Sequence, residues 1–254
     1  MVNPTYAQTR TITRTAEIDA GLRAYMNKVY ALMAGAMIIT GVVAYVVGMD
    51  FRAVVQGEPT TLLSPAMIET MFSSPVRYIV MFAPLAFVFL FAATINRMSA
   101  STAQMVFWAF GAVMGVSIAW IFAVFTGMSI ARTFFITAIA FGGLSLWGYT
   151  TKKDISGWGT FLIMGVIGLI VAMIVNIFLA STALHFAISA IGVLIFAGLT
   201  AYDTQTIKNE YLAYRTTPGG EAWLEKGAVM GALRLYLDFI NMFMFLLQFL
   251  GNRE

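Results

Sequence analysis

Seven long apolar stretches punctuate the chain, at about 29–49, 78–96, 104–126, 133–150, 157–180, 184–204 and 229–250. Each is near the ~20 apolar residues that a helix needs to cross a ~30 Å hydrocarbon core. The first five contain no Asp, Glu, Lys or Arg. Residues 127–132, 151–156 and 181–183 are long enough only for turns, so the helices they join run antiparallel. Two connections are longer. Residues 50–77 carry Pro59, Pro65 and Pro75, which block one continuous helix. Residues 208–227 contain Pro218-Gly219-Gly220, a turn signal. The pattern predicts an all-α polytopic membrane protein: a polar tail over residues 1–28, then a seven-helix transmembrane domain over 29–254. The tail holds Arg10, Arg14, Glu17, Asp19, Arg23 and Lys28 and no apolar run, so it reads as a tail rather than a secretory signal. Residues 1–20 lack an apolar face and are expected to be weakly ordered. Gly111/Gly115 and Gly227/Gly231 have the spacing that lets two membrane helices approach closely.

Composition removes the main alternative. The chain is 60% hydrophobic and 11% charged, with mean hydropathy +0.83. A soluble domain carries about a quarter charged residues. The net charge of +3 does not point to nucleic acid, because the basic residues sit in short loops, where they orient helices in the bilayer. Arg10, Arg14, Arg23, Lys28, Arg97, Lys152, Lys153, Lys208, Arg215 and Lys226 fall on the N-terminal side, and Arg52, Arg77, Arg132 and Arg253 on the other. This places the N-terminus in the cytosol and the C-terminus outside. Trp147, Tyr149 and Trp158 flank the Lys152-Lys153 turn, as interfacial aromatics do. The absence of cysteine excludes disulfides and thiolate chemistry.

Charge within a membrane helix is costly and marks function by default. Asp203 lies near the end of the sixth stretch, and Arg234 and Asp238 lie within the seventh. The sixth stretch ends, and the seventh begins, on the same side, so Asp203 and Asp238 can share a depth. Arg234 precedes Asp238 by four residues and lies on its face. Tyr236 and Asn241 add hydrogen-bonding groups. One reading makes Asp203 an interfacial residue and Asp238 the structural partner of Arg234. The other makes the two aspartates a pair that shares a proton, a pH sensor and a weak cation site. The charges also predict that the seventh helix is surrounded by the others. His185, the single histidine, reads as an interfacial or capping residue rather than a metal ligand. No metalloprotease, phosphate-loop or nucleophile-elbow motif is present, so no enzyme and no cofactor is indicated.

The segments Gly148-Tyr149-Thr150-Thr151-Lys152-Lys153-Asp154, Val175-Asn176-Ile177-Phe178, Ala201-Tyr202-Asp203-Thr204-Gln205 and Leu235-Tyr236-Leu237-Asp238-Phe239-Ile240-Asn241 carry a resemblance. From about Leu22 to Arg253 the chain resembles the Bax inhibitor-1 family (transmembrane Bax inhibitor motif proteins), especially its bacterial YbhL-like branch. The resemblance implies six helices wrapped, as two layers of three, around a central C-terminal helix. It implies a pH-sensitive calcium leak channel of the bacterial inner membrane, gated by an aspartate pair matching Asp203 and Asp238. An arginine after the second helix interacts with that pair in one state, and Arg97 is the nearest match. Some relatives carry an acid within the second helix; this chain has none there. Two further readings remain open. One is an interaction protein that regulates a membrane protease or a cell-death response. The other is a proton-coupled cation antiporter using the same acids. The expected partners are thus the lipid bilayer, calcium, protons and a possible membrane protease.

The basic-residue count makes one prediction. A reporter fused after residue 254 reads as external; a cytosolic signal there contradicts the seven-span topology.

Overall fold

The computed structural model describes residues 4–73 and 75–253, with side chains from residue 20 onward. Its elements are α1 (Pro4–Gln56), α2 (Pro65–Phe72), α3 (Val76–Thr94), α4 (Ala100–Ile118), α5 (Ile121–Val124), α6 (Gly127–Thr150), α7 (Trp158–Leu179), α8 (Thr182–Tyr214) and α9 (Gly220–Leu250). A 3-10 turn over Ile95–Arg97 joins α3 to α4. Apart from one isolated bridge between Phe125 and Arg253, regular structure among the described residues is helical. Seven helices are long and apolar enough to cross a bilayer.

The helices are longer than the apolar stretches alone suggested. The apolar stripe of α1 begins well before residue 29. Leu22, Tyr25, Met26, Val29, Leu32, Met33 and Ala36 recur at helical spacing and are all buried. Arg23 and Lys28 fall outside that stripe and are exposed. From Ala20 onward the segment expected as a tail is therefore the first turns of a membrane helix, continuous across residue 28. Of the residues 1–20 expected to be weakly ordered, 4–20 belong to the backbone of α1, and 1–3 lie outside the described residues. At the other end of the chain, α8 continues ten residues past Thr204, to Tyr214. The Pro218-Gly219-Gly220 signal falls at the turn into α9, where Gly219 takes φ 76°.

The prolines of the 50–77 connection act as boundaries. Ser64 caps α2 by accepting from Met67 N, with Pro65 in the first turn, where its missing N–H costs nothing. Asp50 organises the preceding loop and is only 1% exposed. One carboxylate oxygen accepts from Thr61 N at 2.7 Å and Thr61 Oγ1 at 2.8 Å. The other accepts from Leu62 N at 3.0 Å and Leu63 N at 2.7 Å. A charge at the membrane edge is thus satisfied almost entirely by its own loop's backbone.

Around α9 the other spans form two groups. α1, α3 and α4 pack together on one side, and α6, α7 and α8 on the other. α9 lies between them and touches α1, α4, α6 and α8. Of its most apolar stretch 72% is buried, against 11% for α7. The expectation of a surrounded C-terminal helix is met. α7 faces outward with Phe161, Met164, Ile167 and Ile177 exposed, a lipid-facing surface.

Small residues set the closest approaches. A Cβ on Gly111 would lie 2.9 Å from Ala36 O, and one on Gly115 would lie 2.8 Å from Thr40 O, so this glycine pair seats α4 directly on α1. Gly148 has the same relation to Ala201 O, seating α6 on α8.

The loop anchor makes a prediction. Asp50→Ala leaves three backbone N–H groups without their acceptor and costs roughly 2 kcal/mol. Thermal unfolding in detergent micelles reads it as a lowered midpoint, smaller for Asp50→Asn; an unchanged midpoint in the alanine variant contradicts this role.

Candidate functional site: the α8–α9 seam

The antiparallel contact between α8 and α9 is built on two facing stripes. On α8, Asp203, Ile207 and Glu210 follow one another at four and three residues. On α9, Gly231, Arg234 and Asp238 do the same in the opposite direction. Ile207 is fully buried against Gly231, where a Cβ would lie 3.1 Å from its side chain. This contact draws the helices together and fixes what lies on either side of it.

On one side stand the two carboxyls. Asp238 is 4% exposed and Asp203 is half-buried. Their carboxyls are neighbours, each within the other's electrostatic influence. Asp238 Oδ2 is buried and, among the described residues, receives no donor. Two ionised carboxylates are both acceptors and cannot bond to each other; a proton on either oxygen makes the bond.

Beside them, from the α9 position between Gly231 and Asp238, stands an ion pair that the sequence reading did not identify. Arg234 Nη1 donates to Glu210 Oε1 at 2.9 Å. One of the two sequence readings paired Arg234 with Asp238, on its own helix. The structure gives it Glu210 instead, because α8 runs past the membrane edge and delivers an acid there. Arg234 still lies within Coulombic range of Asp203 and Asp238. The signal for Glu210 was its position seven residues after Asp203, two turns along the same face.

The other candidates separate from the pair. Tyr236 projects from the far side of α9 and is fully buried. Its hydroxyl lies 2.6 Å from Thr40 Oγ1, which in turn is 2.9 Å from Ala36 O and 2.8 Å from Gly111 O. Phe107 and Phe110 meet the ring edge-on. Tyr236 therefore ties α9 to α1 and α4 and does not touch the aspartates. Asn241 Nδ2 donates to Leu237 O of its own helix at 2.8 Å. Arg97 is exposed in the turn after α3, and no described contact joins it to Asp203 or Asp238. His185 belongs to the first turn of α8, at the opposite end from Asp203.

A second polar chain stabilises α8 beside Asp203. Thr204 Oγ1 lies 2.9 Å from Ser145 Oγ, and Ser145 Oγ lies 2.7 Å from Tyr30 OH, linking α8, α6 and α1. Gln205 bonds the α6–α7 loop twice, accepting from Ile155 N at 2.9 Å and donating to Lys153 O at 2.8 Å. Lys208 Nζ donates to Tyr149 O at 2.7 Å. On α9, Lys226 Nζ reaches Asn96 O at 3.1 Å. The start of α1 joins through the Tyr25–Tyr211 ring contact. These contacts gather the polar connections and their basic residues at one end of the bundle.

As a cation site the pair is sparse. Among the described residues no group of three or more His, Asp or Glu could hold a metal. Calcium prefers six to eight oxygens. Two carboxyls could meet a passing cation but not store one.

A bundle of seven membrane-spanning helices, with its charged helix at the centre and a carboxyl pair buried beside it, defines a polytopic integral membrane protein. The chain belongs to the Bax inhibitor-1 family: residues 22–254 match the family described as inhibitor of apoptosis-promoting Bax1. The match begins where the buried stripe of α1 begins. The chain is 43% identical over 249 residues to protein RP147 of Rickettsia prowazekii, covering 97% of this chain and 98% of that protein. It is 42% identical over 238 residues to the inner membrane protein YbhL of Escherichia coli K12, covering 92% and 94%. A Caulobacter vibrioides protein is 43% identical over 243 residues, covering 93% and 92%.

The seam predicts a particular coupling. A double-mutant cycle across Glu210→Gln and Arg234→Gln returns about 1 kcal/mol of interaction in thermal unfolding, as a partly exposed ion pair does. A cycle across Arg234→Gln and Asp238→Asn returns less. The reverse order contradicts the pairing.

Proposed function

We propose that the chain is a pH-sensitive calcium leak channel of a bacterial inner membrane, with its N-terminus in the cytosol, gated by proton sharing between Asp203 and Asp238. The observation that carries this reading is the buried carboxyl contact with one oxygen of Asp238 lacking a donor. Placing one unpaired carboxylate in a poorly solvated site is costly, and placing two in contact costs more. Ile207 packed on Gly231 joins the two helices through apolar contact, separately from the acids. Their presence at that cost is what a switch needs. The membrane assignment draws support from YbhL, which is named an inner membrane protein.

In this reading the shared proton is a hydrogen bond between α8 and α9. Losing it leaves two like charges in contact, which separate the helices or take up a cation. Calcium is the cargo. Its sparse ligand set lets it leave as readily as it enters, which conduction requires. Protons and calcium then compete for the same oxygens, so calcium occupancy falls as pH falls. Arg234, held by Glu210, is a cation one turn away that can turn toward the ionised pair.

The test is calcium flux through the purified chain in liposomes, followed against pH. One titrating site changes occupancy by at most about tenfold per pH unit. Asp203→Asn and Asp238→Asn each flatten the pH response while the protein still folds. Unchanged pH-dependent flux in both variants removes the pair as sensor. Absence of flux in the parent chain leaves the interaction role, toward a membrane protease or a cell-death factor, as the better reading.

A further inference from the structure

A second polar site lies at the basic end of the bundle, past Asp203 along α8. A cavity of about 540 Å³ opens between the α6–α7 loop and the end of α8. Its lining includes Lys152, Lys153, Lys208, Gln205, Asn209 and Asp154. We propose that this cavity binds the phosphate of an anionic bilayer lipid headgroup.

The charge balance is the first argument. Three ammonium groups face one carboxylate. That carboxylate is tied to its own loop through one oxygen: Asp154 Oδ1 accepts from Ser156 N at 2.9 Å. This bond holds its carboxyl below the usual carboxylate range. A cation would be repelled here, and an anion would be met by donors from lysines and side-chain amides.

Rigidity is the second. Gln205 clamps the loop through Lys153 O and Ile155 N, and Lys208 is fixed on Tyr149 O with its ammonium 5.6 Å from the Tyr149 ring centroid. Lys152 and Lys153 stay exposed, with their side chains free to close on a ligand. The backbone of the site is thus set before anything binds.

Depth and surroundings select a lipid as the source of the phosphate. Trp147 and Trp158 stand at the two ends of the same loop with ring centroids 6.1 Å apart, and both are substantially exposed. Exposed indoles mark the headgroup level. Leu146 and Phe161, 63% and 75% exposed, continue the surface into the hydrocarbon. The helices that the loop joins, α6 and α7, thus offer exposed apolar side chains within a turn or so of the loop for acyl chains to meet. Basic pockets between membrane helices are a known place for anionic headgroups.

Gln205 and Lys208 follow Asp203 on the same helix, so a bound headgroup would hold the end of α8 that carries the seam. The binding proposal itself does not require the channel reading.

The test is native mass spectrometry of the full chain in micelles doped with phosphatidylglycerol or phosphatidylcholine, with thermal unfolding run alongside. Phosphatidylglycerol is retained preferentially by the parent chain. Lys152→Gln with Lys153→Gln weakens that retention about twenty-five-fold, at about a factor of five per lysine near the surface. Arg77→Gln with Arg132→Gln, the same charge change at the other end, keeps it. Equal loss in both double variants assigns the effect to net charge and overturns the site. Equal retention of phosphatidylcholine overturns the requirement for an anion. Displacement of phosphatidylglycerol by millimolar inorganic phosphate overturns the lipid as source. The lipid comparison on the parent chain decides the matter even if the lysine variants fold poorly.

Discussion

Lipid cannot solvate a carboxylate, and that constraint organises this molecule. Asp238 lies within a membrane-spanning helix and must be surrounded by protein. α9 is accordingly the most buried span, enclosed by α1, α4, α6 and α8, and the remaining spans are displaced to the outside. α7, which carries no charge, takes the most exposed position.

The same constraint explains how polar groups are distributed between helices. Tyr236 and Thr40 complete one another's hydrogen bonds across α9 and α1, and Tyr30, Ser145 and Thr204 do so across α1, α6 and α8. Each chain joins helices far apart in sequence. Each also depends on close backbone approach, supplied by Gly111 beside Thr40 and by Gly148 beside Ala201. The seam between α8 and α9 departs from this pattern. There, two acids meet with no donor for one of Asp238's oxygens. Among the described residues Tyr25 OH, Trp108 Nε1 and His185 Nε2 are buried without a partner too, but Asp238 Oδ2 is the one carboxyl oxygen in that set, and a carboxylate is the costliest of these groups to bury unpaired.

Much of this was legible in the order of residues. Seven apolar stretches foretold seven spans, and the charges of the last one foretold its central place. Depth placed Asp203 and Asp238 at the same level and left two readings of them open; the family resemblance singled out the pair. What escaped was where amphipathic helices end. A stretch such as Leu22 to Lys28 mixes charge with apolar residues, so a hydropathy reading stops short of it; only the helical spacing of Leu22, Tyr25 and Met26 reveals the continuous stripe. The extension of α8 past Thr204 was missed for the same reason, and with it Glu210, the partner of Arg234. Asp50 was read as the start of a loop, because nothing in the sequence shows that three consecutive N–H groups will turn back onto it. Tyr236 was grouped with Asp238 by proximity along the chain, although two residues along a helix point to opposite sides.

The central claim is that one proton belongs to both aspartates. Infrared difference spectroscopy of the lipid-reconstituted chain, titrated by pH, reads the carboxylic-acid C=O stretch directly. The account predicts a single acid band lost in one step as pH rises, and absent or shifted in both Asp203→Asn and Asp238→Asn. Two bands that titrate independently, each altered in only one of the variants, would contradict it.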